Sequence, residues 1–304
     1  MQSTSTIFLV RPANFGFNEE TAASNAFQQK QSNKDGVQTL ALAEFDSAVN
    51  TLKNAGVNLI VFDDNASPIK PDAIFPNNWI SLHDNGTLVL YPMHAANRRL
   101  ERRVDIVEQL KSQYSINNVI DLSHHENENR FLEGTGSVVF DHLHKIAYAC
   151  LSPRTDRKLL EELCDKLGYK PVSFIAQDKA GKEIYHTNVM MCIAEKFAVV
   201  CLESMSDAEA RKQLVETLEQ THHEVIAISL QQMNSYAGNM LSLKSTSGDD
   251  LLVMSQSAYE VLNDEQKASI NRYTKIITLQ IPTIETIGGG SARCMMAEVF
   301  SSKK

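Results

Sequence analysis

The chain has 304 residues, enough for one large domain or two ordinary ones, and 43% of them are hydrophobic. Its net charge of −8 excludes the basic face that nucleic-acid binding needs. No stretch is long and apolar enough to span a membrane, and the N-terminus lacks a basic segment followed by a long apolar run, so a cytoplasmic protein is the expectation. The five cysteines, Cys150, Cys164, Cys192, Cys201 and Cys294, show no CxxC pair and no metal spacing. In a reduced setting a lone cysteine is more plausibly catalytic than cross-linked.

In chain order, residues 6–10 (TIFLV) read as a strand and 38–54 as a helix. Residues 79–91 (WISLHDNGTLVLY) are two strands around Asn85-Gly86, a strong hairpin signal, followed by a helix over 98–113. The pattern repeats as a strand pair at 136–151 with a helix at 156–167, and a pair at 188–202 with a helix at 207–221. It repeats again as a pair at 239–254 with a helix near 263–273. Ser206-Asp207 and Asn263-Asp264 are suitable helix caps. Residues 294–300 (CMMAEVF) supply one last strand, whose partner is 6–10. A unit of roughly 50–60 residues is too long for most small solenoid repeats, and a last strand that completes the first unit predicts a closed ring. The short strands 57–62, 119–122, 224–230 and 275–281 connect the units and are expected on the inside. One domain over 1–304 follows.

Polar residues gather where each unit's first strand begins: Asn78, Glu133 with Thr135, His186 with Asn188, Asn239, and Cys294. In a ring, equivalent strand ends converge on one face, so these scattered positions are expected to meet. Cys294 follows three glycines in IGGGSARCMMA (287–297), which let another chain or a ligand come close. By itself the segment fits either a presented nucleophile or a buried cysteine beside a sharp turn. His124-His125-Glu126 lies in a polar stretch and reads as loop, and His222-His223 ends a helix. Cys150, Cys192 and Cys201 lie in apolar strand patterns and read as core.

Four local motifs carry a resemblance over essentially the whole chain: GGGSARC (288–294), YHTN (185–188), FLEGTGS (131–137) and LSPRT (151–155). The chain resembles the pentein superfamily of guanidine-modifying enzymes: arginine deiminases, dimethylarginine dimethylaminohydrolases and amidinotransferases. The resemblance implies an α/β fold, a five-bladed ββαβ propeller, matching the repeat. It implies a nucleophile in Cys294, a general acid/base in His186, and Glu133 as the group that orients His186. Arg154 and one of Arg98 and Arg99 match positions that hold the substrate carboxylate or a neighbouring one; for Arg98 and Arg99 an exposed helix face fits equally. No metal or organic cofactor is expected. The partner is a small amino-acid substrate, without nucleic acid or membrane, and a homodimer is plausible.

Two departures bear on the substrate. Where arginine deiminases place aspartates against the guanidinium, this chain has Asn78 and Asn188. A carboxylate offers only acceptors and a full charge, whereas a primary amide offers a donor and an acceptor without charge. The amides suit a neutral ureido group; the alternative is that both asparagines are turn or cap residues. VRP (10–12), FNEET (17–21) and PNNW (76–79) are most similar to the citrulline-utilisation hydrolase branch, which implies hydrolysis of citrulline to ornithine, carbon dioxide and ammonia. Arg11 and Asn14 are then candidates for the substrate's amino-acid end, and 28–36 for a mobile segment. The competing expectations are a hydrolase or amidinotransferase acting on a guanidine, which an acid such as Asp72 would favour, and a catalytically silent scaffold.

Overall fold

The computed structural model describes residues 1–30 and 36–304; most of the segment expected to be mobile, 31–35, lies outside the described residues. Five three-stranded sheets form the blades of a propeller. The first holds Ile80–Leu82, Thr87–Leu90 and Asn118–Asp121, and the second Val139–Asp141, Ile146–Cys150 and Lys170–Phe174. The third holds Met191–Ile193, Phe197–Val200 and Glu224–Ala227, and the fourth Leu241–Lys244, Asp250–Ser255 and Lys275–Leu279. The fifth is built from both ends of the chain: Ala297–Glu298 pairs antiparallel with Thr6–Arg11, which pairs parallel with Asn58–Asp63.

Every blade has the same pairing, an antiparallel pair followed by a parallel strand reached through a helix, and in the first four the antiparallel pair is a hairpin. The connecting helices of the second, third and fourth blades start on side-chain caps: Asp156 accepts from Leu159 N at 2.9 Å, Asp207 from Glu209 N at 2.9 Å, and Asn263 forms a capping box with Gln266. The short first strands touch one another around the axis, as Ala297–Glu298 does with Ile80–Leu82 and Val139–Asp141 with Met191–Ile193. The connecting strands are therefore the outer edges, opposite to the expectation. Their exposure agrees: Val61 is 40% and Val119 43% exposed, while every residue of Met191–Ile193 is buried.

The helix expected over 98–113 is broken. A 3₁₀ segment Ala96–Glu101 ends at Arg102-Arg103, and an α-helix runs over Val104–Gln113. The break lets Arg98 turn into the protein while Val104–Gln113 packs Ile106, Val107 and Leu110 on the first blade. The first strands also begin later than expected. Short helical turns precede them at Pro76–Asn78, Gly134–Ser137, Thr187–Met190 and Ala292–Met295. These turns carry the polar residues of the sequence pattern and place them at one end of the ring. Among the described residues, no helix is long and apolar enough to cross a membrane.

Candidate active site

Cys294 lies on the turn Ala292–Met295 and is 3% exposed. Its sulfur sits between two amides: Asn239 Nδ2 at 3.3 Å and Asn188 Nδ2 at 3.6 Å. Asn239 is fixed from both sides, because its Oδ1 accepts from Arg293 N at 3.0 Å and its Nδ2 also reaches the Asn188 carbonyl at 3.0 Å. Both amides can donate N–H groups to the sulfur. Cys150, Cys164, Cys192 and Cys201 have no amide side chain at the sulfur among the described residues; burial pushes the first three up to about 12 and Cys201 to about 11. They are core thiols, as their sequence pattern suggested for Cys150, Cys192 and Cys201.

His186 Nε2 lies 2.8 Å from Glu133 Oε2. Burial holds the imidazole down to about 4, and Glu133 offsets only part of that, so the ring is neutral near pH 7. The opposite balance holds at Glu133: burial raises its pKa, but Arg154, His186 and Arg98 together hold it well below the usual carboxylate range. Glu133 Oε1 also accepts from His94 N at 2.9 Å, and Oε2 faces Arg154 Nη1 at 3.4 Å and Arg98 Nη1 at 4.0 Å. The carboxylate is ionised, fixed, and presents one oxygen to the histidine.

Arg98 points inward. Its guanidinium forks onto Glu101 at 2.8 and 2.9 Å and donates to Asn78 Oδ1 at 2.9 Å. Arg99 points outward, a third exposed, with Nε on the Met93 carbonyl. Arg154 donates to Ser24 Oγ at 2.6 Å and to the Thr21 carbonyl at 3.1 Å, which ties the 18–28 segment over the site. Asn78 thus spends its carbonyl on Arg98, and its buried Nδ2 has no partner among the described residues. A Cβ added at Gly136 would lie 2.4 Å from Asn78 Nδ2 and 2.7 Å from His186 Nδ1, so only glycine lets these two groups share a corner.

A narrow, partly open pocket with a cavity volume of about 10 Å³ is lined by Asp72, Asn78, Arg98, Arg154, His186 and Cys294, among others. Its roof is Thr21, Asn25 and the glycine loop, where Asn25 Nδ2 and Tyr185 Oη both donate to the Gly289 carbonyl. A larger cavity of about 630 Å³ shares Tyr185 with it but reaches neither Cys294 nor His186.

Three placements differ from the sequence reading. Arg11 is outside the pocket, in a half-exposed ion pair with Asp46 at 2.8 Å, because its strand ends on the outer rim. Asn14 is also outside, donating to the Ala66 carbonyl at 2.8 Å. Asn188 stands behind the sulfur and lines a small cavity on the propeller axis, since its helical turn faces inward. Two residues complete the site. Asn239 belonged to the series of strand-start residues but to no motif. Asp72 was legible only as a nearby acid: Oδ2 accepts from Asn18 Nδ2 at 2.7 Å, Oδ1 is buried without a partner, and burial raises its pKa against Arg98 and Asn18.

A five-bladed propeller with a cysteine, a carboxylate-bound histidine and two arginines at one end defines the pentein superfamily of guanidino-group-modifying enzymes. Residues 11–301 match the family model "N,N dimethylarginine dimethylhydrolase, eukaryotic", and the chain belongs to that family, as a cysteine-dependent hydrolase of carbon–nitrogen bonds. No curated protein matches the chain. Among solved structures it is similar to ArgZ, an arginine dihydrolase from the ornithine-ammonia cycle in cyanobacteria, at 16% identity and TM-score 0.77. The similarity covers 97% of this chain but 40% of full-length ArgZ. The N-terminal domain of ArgZ with bound product gives TM-score 0.77 at 16% identity, covering 97% of both chains. A histidine-to-glycine dimethylarginine dimethylaminohydrolase, an adduct with S-methyl-L-thiocitrulline, gives TM-score 0.64 at 15% identity, covering 98% of this chain and 100% of that one. At these identities the likeness shows the fold.

Proposed function

We propose that the protein hydrolyses citrulline to ornithine, carbon dioxide and ammonia. The observation that carries this reading is the unpartnered amide nitrogen of Asn78 in the pocket beside Cys294. An N–H donor there suits a ureido oxygen and the negative charge that develops on it. A guanidinium at that point would meet another donor instead.

The chemistry runs in two steps. Cys294 Sγ bonds to the ureido carbon, and the amide hydrogens of Asn239 and Asn188 support its negative charge. His186 is neutral in the free site, so the proton it passes to the leaving nitrogen is the one the sulfur gives up. The C–N bond breaks, and ornithine leaves from an S-carbamoyl cysteine. Water, deprotonated by His186, then attacks the same carbon and releases carbamate, which decomposes to carbon dioxide and ammonia. Glu133 keeps Nε2 protonated and leaves Nδ1 to work. Arg154 and Arg98 supply positive charge for the substrate's carboxylate.

A second reading, a guanidino substrate such as arginine, is favoured by one observation: the Asp72 carboxylate in the same pocket. The test is ornithine formation from citrulline and from arginine, each repeated with Cys294→Ser. Ornithine from citrulline alone, lost in the variant, supports the first reading. Turnover of arginine as the better substrate overturns it.

A further inference from the structure

The far end of the second blade carries a second group of chemistry-bearing side chains. The strand Val139–Asp141 leaves the active-site end at Ser137, so Asp141 lies at the opposite end of the blade. His144 sits in the hairpin that follows. His223 comes from the next blade, between the helix Ala208–Gln220 and the strand Glu224–Ala227. One donor atom from each lies within 4.8 Å of the other two.

We propose that Asp141, His144 and His223 bind a divalent transition-metal cation, with zinc the best match to one carboxylate and two imidazoles. The ion would tie the second blade's hairpin to the third blade's helix, away from the catalytic end.

Three observations carry this. Asp141 is fully buried, and among the described residues its charged-group partner is His144 alone, at 2.8 Å; no lysine or arginine reaches it. A buried carboxylate without a cation is costly, and a metal supplies one. His223 Nε2 lies 3.1 Å from the Ala194 carbonyl, which must accept a proton from it, so the lone pair is on Nδ1. Metal-binding histidines are oriented in the same way by a carbonyl on the other nitrogen. Nδ1 now faces the Thr221 hydroxyl at 2.8 Å, and that hydroxyl has alternative acceptors in the Thr217 and Leu218 carbonyls at 3.0 Å. The end of the helix Ala208–Gln220 adds carbonyl dipoles that favour a cation.

Tetrahedral zinc with ligands at about 2.0–2.1 Å sets its donors roughly 3.3 Å apart, a separation within the 4.8 Å that holds these three donor atoms. His144 Nδ1 and Asp141 share a proton, which the metal displaces into water. The partly exposed His144 gives the ion its entry path and leaves the fourth position to water.

The test uses the full chain carrying Cys294→Ser, which removes the thiolate of the catalytic end as a competing ligand. Co²⁺ is titrated by visible absorption and Zn²⁺ by calorimetry. One equivalent is expected, with cobalt bands of nitrogen and oxygen ligation. His144→Ala, at a partly exposed position, and Asp141→Asn are each expected to weaken binding at least about tenfold. Binding unchanged by both substitutions, or no cobalt band in the parent protein, overturns the proposal.

Discussion

Asn78→Asp is the sharpest perturbation of the ureido reading, because it changes one atom and one charge. Asn78 Oδ1 already accepts from Arg98 Nη1 at 2.9 Å, and an aspartate oxygen keeps that bond. The other atom changes from an unpartnered N–H donor to an anionic acceptor aimed at the same corner as His186 Nδ1. Loss of one donor to a developing oxyanion costs about 3 kcal/mol, or roughly 10²-fold in rate. The added carboxylate also faces the developing negative charge, and at an effective dielectric near 20 that repulsion is worth several kcal/mol more. The citrulline kcat is therefore expected to fall at least about 10³-fold, and Asn78→Ser, which removes the amide donor without adding charge, by only about 10²-fold. Arginine turnover is expected to rise relative to citrulline. Ornithine release is followed for both substrates, with thermal melting to confirm folding. A folded Asn78→Asp protein within about tenfold of the parent on citrulline would refute the assignment of Asn78 as the oxyanion donor.

Gly136→Ala drives a methyl to 2.4 Å from Asn78 Nδ2 and 2.7 Å from His186 Nδ1, so kcat is expected to fall at least about 10²-fold, a loss that unperturbed turnover would contradict. Asn239→Ala removes the amide 3.3 Å from Cys294 Sγ and the acceptor of Arg293 N; iodoacetamide alkylation of Cys294 at fixed pH should then slow, with kcat affected more than KM, and an unchanged alkylation rate excludes this role. His83 is buried and held down to about 4 by desolvation, below its ordinary 6.5. The unfolded chain then binds the extra proton between those values, so this histidine's contribution is present above pH 6.5 and lost as pH falls toward 4. Between pH 7 and pH 5 the loss is about 2 kcal/mol, and urea unfolding of His83→Gln should show that much less acid sensitivity than the parent, equal sensitivity being the contrary result.

The ring was legible because the same local signals recur in each unit, from the Asn85-Gly86 hairpin to the Asp156 and Asn263 caps. The inner and outer strands were exchanged because VNLIVF and KIITLQI are as apolar as the strands at the axis, and an apolar run does not say whether it is central or an edge. The helix over 98–113 failed for another reason. For Arg98 an exposed helix face fitted as well as an inward role, yet Arg98 and Glu101 are both buried, because Asp72 and Asn78 from a distant loop complete the arginine's bonds. Cys294, His186, Glu133 and Asn78 were readable from their equivalent places at the mouths of the inner strands. Asn239 occupied the same kind of place, but without a motif nothing separated it from other strand-end asparagines. Arg11 and Asn14 lie in the chain near the roof residues Asn18 and Thr21, but the turn between them sends the first pair to the rim.

The buried charges also bear on the choice of substrate. Arg98 and Arg154 face Asp72, Glu101 and Glu133, two cations against three acids. Burial pushes Glu101 up to about 7 against Arg98, and raises Asp72 as well. Glu133 is committed to His186 and the arginines, and Glu101 to Arg98. Among the described residues, only Asp72 Oδ1 remains as an unpartnered carboxylate oxygen in the pocket. An amino acid brings an α-ammonium that needs such a partner, and arginine brings a second cation at its other end. One carboxylate cannot neutralise two cations separated by the length of a side chain, whereas citrulline presents only one. The uncharged Asn78 at the reacting end and the single free acid elsewhere in the pocket thus support the same neutral head group.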